Sequence, residues 1–199
     1  MTLTIGLTGS IATGKSTISK MFKELNIPVV DADLIAREVV EVGKPAYQKI
    51  VETFGKVILQ TNKEIDRKQL GAIIFADEKK RKQLNDIVHP AIREEMLRQK
   101  NKHITNKEKC VVLDIPLLFE SKLFHFVDKV LVVYTDEEIQ IKRLIARDKL
   151  SKEEALKRMN SQISIEEKKK QADAIINNNG TKEQSAEQLK ALLQKWGIL

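Results

Sequence analysis

Five short runs of apolar residues, spread along the whole chain, constrain its fold more than any other feature of the sequence. Each run is continuous rather than alternating and is bounded by polar turn residues, as in strands buried on both faces of a sheet. The runs span residues 3–7 (LTIGL), 27–31 (IPVVD), 110–115 (CVVLDI), 129–134 (KVLVVY) and 173–178 (DAIINN). Strands that alternate with helices through short connections form a mostly parallel sheet with helices on both faces. The sequence therefore predicts a three-layer α/β fold around a five-stranded parallel sheet.

Helical spacing follows the first, fourth and fifth runs. Apolar residues recur with the period of a helix between Ile18 and Leu25, a second helix is opened by Asp136, and a third ends near Trp196. Residues 41–104 differ, because they read as several helices with no buried strand. We therefore predict a helical insertion between the second and third strands. It is either a module that binds an acceptor substrate or an elaboration of the scaffold.

A glycine-rich segment joins the first strand to the first helix. Residues 9–16 (GSIATGKS) match the phosphate-binding pattern G-x-x-x-x-G-K-[ST] at every defined position. Glycines let the backbone wrap its N–H groups around a β-phosphate, and the helix N-terminus adds partial positive charge. Lys15 is expected to bridge β- and γ-phosphate oxygens, and Ser16 to ligate Mg²⁺ through its hydroxyl. The residues predicted to bind the nucleotide are Gly9, Ala12, Thr13, Gly14, Lys15, Ser16 and Thr17.

Carboxylates follow two of the other predicted strands. Asp114 ends the third strand, at the edge where open α/β sheets bind ligands, and is the candidate for holding Mg²⁺ or a water of its shell. The alternative is an aspartate that only starts a turn. Asp31 and Asp33 end the second strand. From spacing alone, a carboxylate there either accepts a proton from an attacking hydroxyl or caps the next helix.

Arginines and a histidine complete the set of candidates. Arg143 and Arg147 share a helix face and Arg158 follows on the next helical stretch, which suits a mobile element that neutralises a transferring phosphoryl group. A solvated basic face has the same pattern. Arg143 is predicted to bind the phosphates of the nucleotide. His89 precedes a proline, with Arg93 one turn on, and by itself reads as a structural hydrogen-bonding residue at the start of a helix.

Charge and composition restrict the class of protein. The chain carries 35 Lys+Arg against 28 Asp+Glu, a net charge of +7, which favours an anionic partner such as nucleic acid, a lipid surface or a polyphosphate metabolite. Its apolar runs are too short to cross a membrane and its first residues lack the features of a signal peptide, so we expect a cytoplasmic protein. Cys110 is the only cysteine, which excludes an internal disulfide and a Cys-rich zinc site.

Taken together, these motifs resemble the dephospho-CoA kinase family of P-loop kinases. The blocks IGLTGSIATGKST, DADLIAREV, LNDIVHPAIR, VVLDIPLLFE, RLIARD with RMNSQ, and ADAIINNNGT occur in the order and spacing of that family. The resemblance implies an ATP- and Mg²⁺-dependent transferase that phosphorylates the 3′-hydroxyl of dephospho-CoA, in the last step of coenzyme A biosynthesis. It implies that Asp33 is the general base and that His89 and Arg93 line the acceptor site. Lys15 and Arg147, a lid arginine near the phosphates, complete the predicted catalytic set.

The same resemblance implies three domains within a P-loop kinase fold. They are a nucleotide-binding core of residues 1–40, 105–135 and 171–199, a helical acceptor (CoA) domain of residues 41–104, and a lid of residues 136–170. The sequence departs from the family in the loop, where Ser10 and Ala12 replace two glycines. Small side chains at those positions are expected to leave phosphate binding intact.

Two other functions stay open at this point. A nucleoside or nucleoside-monophosphate kinase shares the core, loop and lid but needs an acceptor pocket for a bare nucleotide. A nucleic-acid-dependent P-loop ATPase would use the basic charge, yet aromatic residues make up only 5% of the chain and no nucleic-acid-binding motif stands out. We therefore predict a small-molecule substrate with no nucleic-acid or membrane partner, and favour a monomer.

Overall fold

The structure is a computed structural model that describes residues 2–199. The chain divides into two compact units: residues up to Val30 together with Lys100–Leu199 form the first, and Asp31–Gln99 form the second. The predicted insertion, residues 41–104, overlaps most of the second unit, whereas the predicted lid, residues 136–170, lies within the first. No helix among the described residues is both long and apolar enough to span a bilayer.

The strands of the described chain are β1 (Leu3–Gly9), β2 (Val29–Asp31), β3 (Cys110–Asp114), β4 (Lys129–Tyr134) and β5 (Ala174–Asn177). They form one sheet in the order β2-β3-β1-β4-β5. Parallel ladders join β1 to β3, β1 to β4, and β4 to β5. The five predicted strands and the α/β class are thereby confirmed. Since parallel strands end at the same edge, the segments that follow β1 and β3 lie side by side at the carboxyl edge of the sheet.

The helices of the described chain are α1 (Lys15–Glu24), α2 (Ala32–Glu38), α3 (Pro45–Phe54), α4 (Arg67–Ala76), α5 (Glu78–Thr105), α6 (Glu137–Asp148), α7 (Lys152–Met159), α8 (Ile165–Lys170) and α9 (Lys182–Lys195). Short 3₁₀ turns lie at Lys56–Ile58 and Leu123–Phe126. The helices predicted from spacing after the first, fourth and fifth strands correspond to α1, α6 and α9. The alternation of strands and helices explains why the sheet is parallel.

One face of the sheet is covered by α1 and α9. Ile5 and Leu7 alternate with residues of the opposite face along β1, and both are fully buried. Ile18 and Phe22 of α1, four residues apart, pack into the same cluster as Leu189 of α9. Burying a side chain of this size contributes about 1.5–3 kcal/mol. This packing fixes α1, and with it the loop that precedes α1, against the strand it follows.

Helix caps fix where two of the helices at this sheet begin. Thr181 and Gln184 form a capping box at the start of α9, an arrangement that typically stabilises a helix by about 1 kcal/mol. Asp136 occupies the N-cap position of α6, as predicted, but its carboxylate makes no capping bond within the described structure. Instead, hydrogen bonds with Asn179 and then Tyr134 hold the pKa of Asp136 below its ordinary value. The start of α6 is thereby tied to the segment that follows β5.

The second unit is helical and has a small core of its own. Ile50, Ile58 and Leu70 form its buried centre. Helix α5 continues through Pro90, so the expectation that a helix begins near His89 is wrong. Proline lacks an N–H group and removes a single intrahelical bond, to the carbonyl of Asp86, which a helix of this length survives.

Candidate active site

The loop between β1 and α1 presents its backbone at the start of a helix. Gly14 occupies the N-cap position with φ 86°, and no side chain of the described residues caps the helix. The N–H groups of the first turn of α1 are therefore directed at the loop, where they and the helix dipole favour an anion. Ala12 has φ 62°, a left-handed conformation that a residue with a Cβ rarely adopts. The loop keeps this conformation although alanine replaces the glycine expected there.

Thr13 fixes the loop from the inside. Its hydroxyl donates to the carbonyl of Ser10 at 2.9 Å, and its N–H donates to the same oxygen at 3.2 Å. Its own carbonyl accepts from the side-chain amide of Asn178 at 2.7 Å and from the hydroxyl of Thr135 at 3.1 Å. All these groups are buried or partly buried, so each bond is expensive to break. Thr13 thus shapes the loop rather than facing a ligand with its side chain.

Arg143 lies behind the loop. Its guanidinium donates to the carbonyl of Asn178 at 2.9 Å and to the hydroxyl of Thr135 at 3.4 Å. A Cβ added at Gly14 would overlap the side-chain amide of Asn178 and lie 3.7 Å from Arg143 Nη1. Gly14 therefore needs both its positive φ and its missing side chain. The structure brings Arg143 to the loop through the two residues that also bind the Thr13 carbonyl.

Lys15 and Asp114 form an ion pair at the carboxyl edge of the sheet. The Asp114 side chain is 3% exposed and that of Lys15 is 20% exposed. Asp114 ends β3, opposite Leu7 in the adjacent strand β1, so its carboxylate stands beside the loop. Ser16, the second residue of α1, is exposed. The sequence placed Lys15 and Asp114 at one site, and the structure brings them into contact.

The oxygen donors at this edge suit Mg²⁺. A buried carboxylate (Asp114) and an exposed hydroxyl (Ser16) are hard ligands, and Mg²⁺ takes few ligands from protein, completing its shell with phosphate oxygens and water. Within residues 2–199 no group of three or more His, Cys, Asp or Glu residues is arranged to hold a metal.

The two carboxylates of the DAD segment have different surroundings. Asp31 is the N-cap of α2, and its Oδ1 accepts the N–H groups of Asp33 at 2.9 Å and of Leu34 at 3.1 Å. Asp33 lies in the first turn of α2 with its side chain exposed. Capping and proton transfer were alternatives for this pair on the sequence alone. The structure gives the cap to Asp31 and leaves the carboxylate of Asp33 outside that cap.

Two further candidates lie on α5 in the second unit. His89 and Arg93 are four residues apart and exposed, so they share one face of the helix. On another part of α5, Glu95 and Arg98 form a bidentate ion pair with two 2.7 Å bonds. This pair lines a cavity of about 290 Å³ together with Lys44, between α3 and α5. The second unit thus has a cavity lined by charged residues of α5, the helix that also carries His89 and Arg93.

Arg147 is exposed and paired with its neighbour. Its guanidinium donates to both oxygens of Asp148, at 2.7 and 3.1 Å, and Arg158 donates to the same carboxylate at 2.9 Å. These bonds, led by the one from Arg147, hold the pKa of Asp148 below its ordinary value. One carboxylate at the end of α6 therefore holds two of the three arginines that the sequence proposed for phosphate contact, Arg147 and Arg158.

Three residues with no role predicted from the sequence also reach the loop. Gln162 accepts the N–H of Ile11 at 3.0 Å through its side-chain oxygen. Lys168 donates to the carbonyl of Gly9 at 3.1 Å. Gln162 ends the RMNSQ block, Lys168 is one of three consecutive lysines, and Asn178 belongs to the INNNG block. For Gln162 and Asn178, the signal in the sequence was their place in blocks that carry the family resemblance. Spacing does not predict contacts with residues so distant along the chain.

Comparisons with known proteins agree with this geometry. The family model described as dephospho-CoA kinase matches residues 3–184. A dephospho-CoA kinase of Bacillus cereus is 59% identical over 199 residues, covering all of both chains. Among solved structures, a dephospho-CoA kinase from Campylobacter jejuni is 36% identical with a TM-score of 0.76 and covers 98% of each chain. A protein from Thermus thermophilus is 30% identical with a TM-score of 0.81, covering 98% of this chain and 97% of its own.

Proposed function

Since the chain belongs to the dephospho-CoA kinase family and phosphorylates dephospho-CoA with ATP, we propose that its two units divide the reaction between donor and acceptor. The residue 9–16 loop and the edge of the sheet beside it take the ATP phosphates. The unit of residues 31–99 takes the acceptor. The observation that carries the donor half is the loop with its uncapped helix start and the Lys15–Asp114 pair beside it.

On the donor side, backbone N–H groups of the loop and of the first turn of α1 hold the β-phosphate. Lys15 contacts the β- and γ-phosphate oxygens, and Asp114 and Ser16 would hold Mg²⁺ or a water of its shell. Bound Mg²⁺ neutralises negative charge on the phosphates as the phosphoryl group moves. Arg143 adds positive charge behind the loop, and Arg147 leaves Asp148 to contact the transferring group.

On the acceptor side, Asp33 is the general base. It orients the ribose 3′-hydroxyl of dephospho-CoA and accepts its proton as the oxygen bonds to the γ-phosphorus and the bond from that phosphorus to ADP breaks. His89 and Arg93, on one face of α5, bind the acceptor. The role of Asp33 is supported by the cap at Asp31, which leaves the Asp33 carboxylate exposed at the start of α2.

A direct test offers the purified protein ATP and Mg²⁺ with dephospho-CoA, AMP, CMP, adenosine or single-stranded DNA in parallel, and measures ADP release. We expect release with dephospho-CoA to exceed that with every other acceptor, and to stop when EDTA removes the Mg²⁺. Mass spectrometry of the product should place the new phosphate on the ribose. Equal turnover of AMP or CMP, or stimulation by DNA, would contradict the proposed acceptor.

A further inference from the structure

One lysine in a run of three is buried beside the phosphate-binding loop. Lys168, Lys169 and Lys170 follow one another in α8. The side chain of Lys168 is 0% exposed, Lys169 is half-buried over the ring of Tyr134, and Lys170 is exposed. Lysine is almost never fully buried unless it is paired. The structure therefore singles out Lys168 as the cation of this run with a specific task.

The ammonium group of Lys168 has two partners. Its Nζ lies 2.8 Å from Glu120 Oε1 and donates to the carbonyl of Gly9 at 3.1 Å. Gly9 is the first residue of the phosphate-binding pattern, and Glu120 ends the DIPLLFE block that follows β3. Lys168 therefore joins α8 to the end of β1 and to the segment that follows β3.

Glu120 also binds the start of the segment that leads to Lys168, residues 162–168. Its Oε1 accepts the N–H of Ile163 at 3.1 Å, the carbonyl of Ile163 accepts the hydroxyl of Ser10 at 3.4 Å, and the neighbouring Gln162 accepts the N–H of Ile11. The segment 162–168 thus contacts three consecutive residues of the loop, at 9, 10 and 11. These three precede Ala12, the residue with the left-handed conformation.

The Lys168–Glu120 ion pair is not explained by the stability of the fold alone. A buried ion pair repays its desolvation only when the remaining lone pairs are satisfied, and apolar residues of similar volume often serve as well. Glu120 Oε2 is buried and has no hydrogen-bond partner within residues 2–199. The Glu120 side chain as a whole is 20% exposed, so the pair joins a fully buried ammonium group to a partly exposed carboxylate. The pair contacts the loop at Gly9 directly, and at Ser10 and Ile11 through the 162–163 segment.

We propose that Lys168 and Glu120 are positioning residues for phosphoryl transfer. They hold residues 9–11 in the conformation that directs the loop at the ATP phosphates, through the Gly9 carbonyl and the 162–163 segment. The inference rests on the proposed use of the loop as the ATP phosphate site. Neither side chain contacts the substrate in this role, and affinity for ATP depends on both.

The test compares Lys168→Met, which keeps the length and loses the charge, with Lys170→Met, a matched change two residues along the same helix. For Lys168→Met we expect the KM for ATP to rise at least about ten-fold, the loss expected for a charge-assisted bond, with the KM for dephospho-CoA changed by less than about two-fold. Hydrogen exchange at the Ile11 amide should also become faster. Lys170→Met should match the wild type in all three measurements.

A second variant keeps the test valid where Lys168→Met does not fold. Gln162→Leu removes only the acceptor for the Ile11 N–H and leaves the buried pair in place. We expect the KM for ATP to rise about three-fold or more in this variant, since one hydrogen bond is lost. A lower melting temperature with an unchanged KM for ATP, in either folded variant, would overturn the proposal and leave a purely structural pair. Lys15→Met tests the proposed ATP site separately from the positioning role of Lys168. If the loop does not bind the ATP phosphates, Lys15→Met should be fully active, whatever the result for Lys168→Met.

Discussion

The ammonium group of Lys15 is bonded to the carboxylate of Asp114, so two residues expected to serve phosphate and metal separately share one contact. The buried carboxylate keeps the flexible Lys15 side chain at the edge of the sheet, beside the loop. In the proposed mechanism Lys15 contacts phosphate oxygens, and Asp114 would hold Mg²⁺ or a water of its shell. The pair thus holds both side chains at the edge of the sheet, beside the loop that we propose binds the phosphates.

Replacing Asp114 should therefore affect the metal requirement. We expect Asp114→Asn to lower kcat at least about 100-fold and to raise the Mg²⁺ concentration that gives half-maximal rate, because the amide is a poorer ligand for a hard cation. ADP release measured across a MgCl₂ series checks this. Asp86→Asn, an exposed change on α5, is the control and should leave the curve unchanged. A normal curve for Asp114→Asn would exclude the proposed ligand.

The DAD segment allows capping and catalysis to be separated. Asp33→Asn should lower kcat at least about 100-fold, the usual scale for a positioned base, while the free energy of unfolding stays unchanged. Asp31→Ala should do the reverse, costing about 1 kcal/mol of stability by removing the cap of α2, with kcat within a few-fold of the wild type. Steady-state kinetics and urea unfolding of both variants check this. A catalytic loss from Asp31→Ala equal to that from Asp33→Asn would show that the two carboxylates act together.

The two arginines on Asp148 should differ in their importance. Arg147→Met should lower kcat about 100-fold, because an arginine that stabilises a transferring phosphoryl group contributes on that scale or above. Arg158→Met should stay within about three-fold, since its role in this arrangement is to share the Asp148 carboxylate. Single-turnover rates at saturating ATP measure the chemical step directly. Equal losses of kcat in the two variants would contradict the assignment of Arg147 alone to the transferring phosphoryl group.

The left-handed conformation of Ala12 has a cost that can be measured. Ala12→Gly should raise the free energy of unfolding by about 1 kcal/mol, because glycine adopts φ 62° without strain. Ala146→Gly, the same change at an exposed position within α6, should lower it by a similar amount, about 1 kcal/mol. Urea unfolding of the two variants checks the opposite signs. A destabilised Ala12→Gly would mean that alanine packs in the loop well enough to offset the strain.

The Glu95–Arg98 pair should make stability depend on pH. The hydrogen bond from Arg98, followed by that from Gln99, holds the pKa of Glu95 at about 2, against an ordinary value of 4.5. A carboxyl whose pKa is lower in the folded state stabilises the fold above its ordinary pKa, and the contribution is lost as the pH falls towards the folded value. Glu95→Gln should therefore be less stable than the wild type at pH 6, with the difference shrinking below about pH 4.5. Urea unfolding between pH 3 and pH 7 measures it, and a difference independent of pH would contradict the assigned cause.

The fold was predictable from the sequence because its signals are local. A continuous apolar run such as that at 110–115 is buried only when both faces of its strand are covered, and this predicted a sheet with helices on both sides. The pattern at 9–16 predicted the loop that joins the first strand to the first helix. The assignment of Asp31 as the cap needed coordinates, since both carboxylates of the segment have suitable spacing. The continuation of α5 through Pro90 was missed because proline near a histidine resembles a helix start, whereas the rest of the helix compensates for one lost bond.

The partners of the loop were out of reach for a different reason. Nothing in the local pattern of KKK distinguishes Lys168 from Lys169, because burial depends on what α8 packs against. Asn178 reaches the Thr13 carbonyl from 165 residues away along the chain. Contacts of this kind are set by the topology of the sheet, which the sequence predicts in outline but not to the atom.

The bond between Asn178 and Thr13 makes the final shape of the loop depend on residues that are synthesised long after it. Asn178 is synthesised 165 residues after Thr13, and Ser185, which donates to the Asn178 side chain at 2.9 Å, follows it. Strand β1 must likewise wait for its two neighbours, β3 and β4, to leave the ribosome. A growing chain therefore carries a loop without this contact until β5 and the residue after it have been synthesised. Folding of β5 and α9 therefore completes the set of hydrogen bonds that shapes the loop.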